Sequence, residues 1–370
     1  MANSPTTRRY GAMLVLIAAL FGGWSWFWYH ASGKAEAMVE GWRAREARAG
    51  RIYTCGSENI SGFPFRFELN CERPSALFKS NQPPVELKAK GILVAAQVYQ
   101  PNLLISEFHG PLTVATPGQP PSYVVNWKLF QSSVRGTPSR PERVSLVFER
   151  PVAERMDNGM AHTLLRADRA EIHGRMAEGS ATDRPAIEVA LRLRNALAPE
   201  FRPAATQPVD ADVDVVLRGL SDFSPEPWPE RFRRIQAAGG SIEVTQARFV
   251  QGETVGVGSG SIAINPNGRL QGQLRMTVAG LEPFLKTIGA EQMVQNSSAV
   301  DKLAGALDRL APGLGAVARQ QVGANIAGGI NMIGEQTTLE GKPAVTLPLR
   351  FDGGQIFLGP IPLGQTPAFF

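Results

Sequence analysis

The strongest constraint on this chain is an uncharged, apolar run near its N-terminus, from Gly11 to Tyr29. At a rise of about 1.5 Å per residue, this run would make a helix of about 28 Å, enough to cross a hydrocarbon core of roughly 30 Å. Three tryptophans and a tyrosine lie near its C-terminal end, and such amphipathic rings favour the headgroup region. The run therefore predicts a single membrane-spanning anchor over residues 11–29.

The charges on either side of this anchor set its expected orientation. Arg8-Arg9 precedes it, which favours a short cytoplasmic N-terminus over residues 1–10. Lys34 and three arginines follow it and favour the opposite orientation, but the positive-inside rule is weak for long translocated domains. We expect the anchor to stay attached and the bulk of the chain to lie outside the cytoplasm. A cleaved signal peptide is the alternative, because Ala35-Glu36-Ala37 fits a small-residue cleavage site, and it leads to the same compartment.

The only two cysteines, Cys55 and Cys71, lie on either side of a turn sequence, Ser61-Gly62-Phe63-Pro64. Both are equally far from Phe63, so a hairpin folded there would set them opposite each other at a spacing that a disulfide bridges. We predict a structural disulfide between Cys55 and Cys71, which would stabilise the fold by roughly 3 kcal/mol on the chain-entropy model. Two free buried thiols are the alternative. Two cysteines without a nearby histidine do not complete a zinc site.

The stretch from Tyr53-Thr54-Cys55 through Ser61-Gly62-Phe63-Pro64-Phe65-Arg66-Phe67 to Cys71 resembles the signature of a proteobacterial envelope family, domain of unknown function 2125. The N-terminal anchor and the length of 370 residues also fit that family. The resemblance implies an envelope protein, so we expect a single-pass protein of the cell inner membrane with its bulk in the periplasm. The family has no established activity, and the resemblance therefore implies no catalytic residue.

Short alternating runs dominate the rest of the chain. The run from Ile187 to Leu193 alternates apolar and polar residues, which predicts a half-buried strand whose odd-numbered residues share an apolar face without all being core. Similar runs recur at Val144–Phe148, Val213–Leu217, Ile242–Val244, Val255–Val257, Ile262–Ile264, Leu270–Val278 and Val345–Phe351. Aliphatic residues spaced by three and four from Val300 to Val317 predict a late helical segment. The expected fold is mainly β (β-rich α+β): a transmembrane helix, then curved antiparallel sheets with the late helical segment packed on them.

The same patterns divide the chain into six segments. They are a cytoplasmic N-terminus at 1–10, the anchor at 11–29, a juxtamembrane amphipathic helix at 30–51, a first β-rich part at 52–220, a proline-rich linker at 221–240, and a β meander with helices and a final strand at 241–370. The linker is predicted from its prolines, which cannot donate to a sheet.

No pattern of residues predicts catalytic chemistry, a cofactor or a metal site. The alternating aspartates of Asp210–Asp214 lack the glycine and glutamate of a calcium loop and are typical of the polar side of a strand. The alternating glycines of Gly256–Gly260 lack the Lys-Ser or Lys-Thr pair of a phosphate loop, which favours close-packed strand glycines. The four histidines lack zinc-peptidase spacing.

The charge pattern argues against nucleic acid as a partner. The net charge is +5, but no block of like charge exceeds a doublet, whereas nucleic-acid binding needs clustered cations. We therefore expect a non-catalytic envelope protein that binds an apolar ligand such as lipid, or protein partners, in envelope maintenance. The alternatives are an envelope hydrolase acting on glycan or lipid, which a polar cleft with paired carboxylates would favour, and a purely structural subunit of an envelope complex.

Overall fold

The computed structural model describes residues 5–137, 140–179, 185–200, 207–220, 226–283, 334–359 and 361–370. These residues form a long N-terminal helix followed by antiparallel strands, so the predicted mainly β fold is confirmed. The predicted late helical segment from Val300 to Val317 lies outside the described residues, and so does its predicted packing on a sheet.

The N-terminal helix, α1 (Pro5–Arg48), is continuous through both segments that were predicted as anchor and juxtamembrane helix. No proline interrupts it after its first residue, so nothing in the sequence removes one of its backbone hydrogen bonds. It ends before Gly50, whose φ of 79° suits a left-handed terminating position. Part of the predicted linker is also helical, because α2 (Trp228–Ala237) has its proline in the first turn, where no backbone donor is needed.

Most of the strands in the first half of the chain have seven residues or fewer. The strands of this half are β1 (Arg51–Thr54), β2 (Ser57–Ser61), β3 (Arg66–Glu72), β4 (Ser75–Phe78), β5 (Val85–Lys88), β6 (Gly91–Gln97), β7 (Gln100–His109), β8 (Leu112–Ala115), β9 (Tyr123–Asn126), β10 (Leu129–Thr137), β11 (Arg140–Glu149), β12 (Val152–Asp157) and β13 (Met160–Arg166).

The remaining strands include every alternating run that was predicted as a strand except Val144–Phe148, which lies on β11. They are β14 (Arg169–Met176), β15 (Ala186–Ala196), β16 (Val209–Arg218), β17 (Ser241–Gln251), β18 (Thr254–Ile264), β19 (Leu270–Ala279), β20 (Glu335–Leu339), β21 (Lys342–Asp352), β22 (Gln355–Leu358) and β23 (Ile361–Gln365).

The chain divides into two compact units whose boundaries differ from the predicted segments. The first comprises Met1–Arg135 with Ala153–Ala161, and the second comprises Gly136–Val152 with His162–Phe370. The first unit contains α1 and strands of two antiparallel sheets, one in the order β1-β4-β5-β8-β9-β12 and one in the order β2-β3-β6-β7-β10.

The second unit is built on strands in the order β11-β14-β15-β16-β17-β18-β19-β21-β22-β23, with β20 pairing with β21. Most sequence neighbours in this order pair directly, and tight turns join β17 to β18, β20 to β21, β21 to β22 and β22 to β23. The C-terminal residues pack against α2, where the ring centroids of Phe232 and Phe369 lie 4.7 Å apart. The Phe369 N–H donates to the Gly268 carbonyl at 2.8 Å, which attaches the tail to the turn between β18 and β19.

Burial in the second unit partly follows the predicted register of β15. Ile187 is buried as predicted, but Leu191 on the same face exposes 37% of its surface. The largest buried side chains lie on β19 and β21 instead, where Val278 and Leu347 are each 2% exposed. The odd-numbered residues of β15 are therefore not all core, because alternation identifies an apolar face but not what covers it.

Candidate functional site

The first half of α1 presents apolar side chains on all sides. Leu14, Val15 and Leu20 expose 64%, 70% and 66% of their surfaces. Among the described residues one helix is long and apolar enough to cross a membrane, and it lies near the N-terminus. A helix that is apolar all round belongs in a protein core or in lipid rather than in water. The chain thus carries an N-terminal helix suited to anchoring in a membrane.

Cys55 and Cys71 are joined by a disulfide, with their Cα atoms 5.5 Å apart. The predicted opposition of the two cysteines is wrong, because Cys71 pairs with Glu58 and Cys55 lies before β2 begins. Arg43 of α1 lies at the same place: its Nη2 contacts Cys55 Sγ at 3.2 Å and forms an ion pair with Glu58. The disulfide therefore closes the end of the β2–β3 hairpin that adjoins α1.

The position of the hairpin turn explains the register error. Ser61 pairs with Glu68, which centres the turn one to two residues beyond Phe63. Moving the centre of a hairpin by that amount moves every cross-strand partner by three positions. The turn sequence identified the hairpin, but the alternation after it does not specify how many residues the turn uses.

The C-terminal end of α1 packs on β1 through aromatic and charged side chains. The ring of Trp42 lies 4.8 Å from that of Tyr53, and Arg51 Nε donates to Glu46 Oε2 at 2.5 Å. Burial, and then the nearby charge of Glu46, raises the pKa of Tyr53. This end of the helix is therefore fixed to the first unit by both packing and electrostatics.

One face of the sheet in the second unit is apolar across eight strands. Cross-strand pairing lines up three rows of small and aliphatic residues on that face, which we name the apolar face. The rows are Phe148–Ala170–Leu193–Ala211–Phe249–Gly256–Val278–Val345, Leu146–Ile172–Leu191–Val213–Ala247–Gly258–Met276–Leu347 and Val144–Gly174–Val189–Val215–Val244–Gly260–Leu274–Leu349.

Exposure changes along the middle row of the apolar face. Ile172 on β14 exposes 41% of its surface and Leu191 on β15 exposes 37%, whereas Leu347 on β21 exposes 2%. We call the part of the face on β14 and β15 the open end and the part on β18, β19 and β21 the closed end. Ile172 was not predicted from the sequence, although it lies between Glu171 and His173 on β14 and alternation places it on the apolar side.

The glycines of β18 lie at the closed end of the apolar face. They are close-packed strand glycines, as predicted. A Cβ at Gly256 would lie 2.1 Å from the ring of Phe249, and one at Gly258 would lie 2.3 Å from the Met276 sulfur. Large neighbouring side chains therefore lie across these glycines. Gly174, on β14 at the open end, has nothing within 4 Å of the position that a Cβ would occupy.

The opposite face of the same strands is charged. Arg192 Nη2 donates to Asp214 Oδ1 at 2.6 Å, and Arg194 Nη2 donates to Asp212 Oδ1 at 2.7 Å. The alternating aspartates therefore lie on the polar side of a strand, as predicted. Arg192 and Arg194 alternate along β15 as the aspartates do along β16. This complementary charge pattern can be recognised in the sequence once the two strands are known to pair.

Glu171 on β14 belongs to the same charged face. His173 Nε2 lies 2.9 Å from Glu171 Oε2, and Arg169 forms an ion pair with the same carboxylate. Hydrogen bonding from His173, and then from Arg169, lowers the pKa of Glu171. These partners stabilise the ionised carboxylate, so the charged face is held by cross-strand and same-strand pairs.

A hollow of about 530 Å³ lies on this charged face. Its lining includes Glu188 and Asp214, which form ion pairs at 2.6 Å with Arg175 and Arg192 respectively. Across the described residues, no group of three or more His, Cys, Asp and Glu side chains is placed to hold a metal ion. The two carboxylates in the lining of the hollow therefore already have cationic partners.

The second unit thus has a sheet with one apolar and one charged face, and the first unit has an apolar helix fixed to a disulfide-closed hairpin. No curated protein matches the chain. A family model does match, and it covers residues 28–367, which include most of both units and the end of the apolar run of α1. The chain belongs to the family of uncharacterised proteins conserved in bacteria that is described as DUF2125.

Proposed function

We propose that this protein is a non-catalytic, single-pass protein of the bacterial inner membrane that binds lipid acyl chains in the periplasm. The observation that carries the proposal is the middle row of the apolar face, where exposure rises from 2% at Leu347 to 37% at Leu191 and 41% at Ile172. The open end of this row is the proposed binding surface.

The anchor supports the proposed location. Its apolar side chains are exposed on all sides, which is costly in water and favourable in a hydrocarbon core. Arg8-Arg9 precedes the apolar run and favours a cytoplasmic N-terminus. The disulfide between Cys55 and Cys71 fits an oxidising compartment, and the bacterial periplasm is one.

The chemistry of the open end favours an acyl chain as its ligand. Ile172 and Leu191 are aliphatic cross-strand neighbours, and Leu146 and Val213 continue their row on either side. Burying such a surface contributes roughly 25 cal/mol per Å² of apolar area to the free energy of binding. The hydrophobic effect is non-directional, so a hydrocarbon chain can supply this burial without hydrogen-bonding groups. A membrane anchor in the same chain keeps the protein beside a supply of lipid. We therefore prefer lipid to a soluble ligand.

Photo-crosslinking in membranes tests this proposal directly. A photoreactive amino acid would replace Leu191 in the full-length protein, and Ala190 in a matched control. The two positions are adjacent in sequence and lie on opposite faces of β15. We expect lipid adducts, identified by mass spectrometry of the purified protein, at position 191 and not at position 190.

Two outcomes would contradict the proposal. Equal lipid labelling at both positions would mean that the probe reacts with lipid non-specifically. Crosslinks from position 191 to another protein, with no lipid adduct, would replace the lipid hypothesis with a structural role in an envelope complex.

A further inference from the structure

Aromatic side chains join α1 to the tip of the β2–β3 hairpin, which we define as Gly62–Phe67. Trp24 Nε1 donates to the Pro64 carbonyl at 2.9 Å, and Trp28 Nε1 donates to the Arg66 carbonyl at 3.1 Å. Two indoles of the helix thus satisfy two backbone carbonyls of the hairpin tip. The tip is therefore held against the C-terminal end of the apolar run of α1.

Ring contacts fix the height of the hairpin tip along the helix. The ring centroid of Phe63 lies 6.0 Å from that of Phe21, 5.6 Å from that of Trp28 and 6.2 Å from that of Tyr29. Trp28 also stacks on Phe67 at 5.5 Å and is only 4% exposed. Phe21 lies eight residues before Tyr29, which is about 12 Å along a helix axis. Phe63 therefore lies level with the last two turns of the apolar run.

Two independent lengths agree that the hairpin runs alongside the helix toward this position. The other end of the hairpin adjoins Arg43, which contacts both Cys55 and Glu58. The distance from Trp28 to Arg43 along the helix is about 22 Å at about 1.5 Å per residue. The distance from Cys55 to Phe63 along an extended strand is about 26 Å at about 3.3 Å per residue. The hairpin therefore reaches back along α1 to the membrane-facing end.

The outer side of the hairpin tip is aromatic and exposed. Phe65 exposes 65% of its surface, and the backbone N–H of Val98 donates to its carbonyl at 3.0 Å. That hydrogen bond sets the β6–β7 turn beside the tip, and Tyr99 in this turn exposes 75% of its surface. Aromatic side chains in this setting match the interface between headgroups and acyl chains.

We propose that the hairpin tip and the β6–β7 turn insert into the headgroup region of the membrane that α1 spans. The partner is a phospholipid bilayer surface, bound chiefly through Phe63, Phe65 and Tyr99. This inference rests on the anchoring proposed above, because the span of α1 sets the depth. It is independent of the proposed acyl-chain site, which uses other residues.

Depth-dependent fluorescence quenching tests the insertion. Single cysteine variants of the full-length protein would be labelled with an environment-sensitive fluorophore without reductant, so that the native disulfide stays closed and unlabelled. The variants are Phe65→Cys and Tyr99→Cys at the proposed contact and Leu20→Cys within the anchor. They would be reconstituted in phospholipid vesicles that contain nitroxide-labelled acyl chains. We expect probes at positions 20, 65 and 99 to lose most of their fluorescence.

Asn81→Cys supplies the matched control, because Asn81 is exposed in another hairpin turn of the same unit. Its neighbour Lys79 donates its N–H to the Gly50 carbonyl, just past the end of α1 and about 30 Å along the helix axis from Tyr29. A probe at position 81 should keep its fluorescence. Quenching at 20 without quenching at 65 and 99 would overturn the insertion and leave the anchor intact. No quenching at 20 would overturn the anchor, and the insertion with it.

Discussion

The open and closed ends of the apolar face belong to one sheet and consist of nearly the same residue types, yet they differ in exposure. At the closed end, Phe249 and Met276 lie across the glycines of β18. At the open end, Ile172 and Leu191 stand side by side with more than a third of their surfaces uncovered. This difference in exposure shows that alternation along a strand specifies which face is apolar, whereas side chains on neighbouring strands determine whether that face is buried.

The comparison is sharpest for two leucines in one row, so Leu347→Ala and Leu191→Ala form a matched pair. Leu347→Ala should lower the free energy of unfolding by about 2–5 kcal/mol, because it leaves a cavity in a closed packing. Leu191→Ala should lower it by about 1 kcal/mol or less, because the side chain is already partly exposed. Chemical unfolding of the two variants in detergent measures both effects. Equal losses would show that the open end is covered.

Two glycines, one at each end of the apolar face, allow the same comparison by adding a methyl group instead of removing a side chain. Gly256→Ala should lower the free energy of unfolding by roughly 1–3 kcal/mol, because the new methyl group would overlap the Phe249 ring. Gly174→Ala should be neutral or stabilising by up to about 1 kcal/mol, because its Cβ would meet nothing and alanine reduces the entropy of the unfolded chain. Thermal melts of the two variants test this. A destabilised Gly174→Ala variant would contradict an open end.

The charged face of β14 and β15 should make the free energy of unfolding depend on pH, and this effect is the smallest that we expect. The depressed pKa of Glu171 means that its stabilising contribution is present above the unfolded pKa, about 4.3, and is lost as the pH falls through the lower folded pKa. Glu171→Gln should therefore cost about 1 kcal/mol or less at neutral pH, and the cost should shrink as the solution is acidified below about pH 4.

Urea unfolding of the wild type and of Glu171→Gln across that pH range measures this difference. A cost that grows on acidification would mean that His173 and Arg169 do not hold the ionised carboxylate as the structure has them.

Much of the fold follows from the sequence, because alternation and the uncharged run are local signals. The run from Ile187 to Leu193 predicted both the strand and its apolar face, and Gly11 to Tyr29 predicted the apolar helix. The exposure of Leu191 could not be predicted, since it depends on what lies over the face and not on β15 itself. The hairpin register was missed because its turn lies beyond Phe63, and a turn signal gives a location but not a residue count.

The two candidate surfaces could also be predicted from the sequence only in part. The alternating aspartates of β16 indicated a polar strand face, but their partners Arg192 and Arg194 became visible only once β15 and β16 were paired. The aromatic residues of the hairpin tip were recognised as part of a family signature. Their contact with Trp24 and Trp28 joins residues about forty positions apart, and no local pattern encodes such a contact.

The unbroken length of α1 has a mechanical consequence. Its 44 residues make a rod of about 66 Å, with the apolar run at one end and the Trp42 contact with β1 near the other. An anchor that is too long or too short for its bilayer changes its tilt. Because the rod has no kink-forming proline between its two ends, that tilt would be passed along its length to β1 and to the hairpin beside it. A change in bilayer thickness would then change the angle between the first unit and the membrane surface.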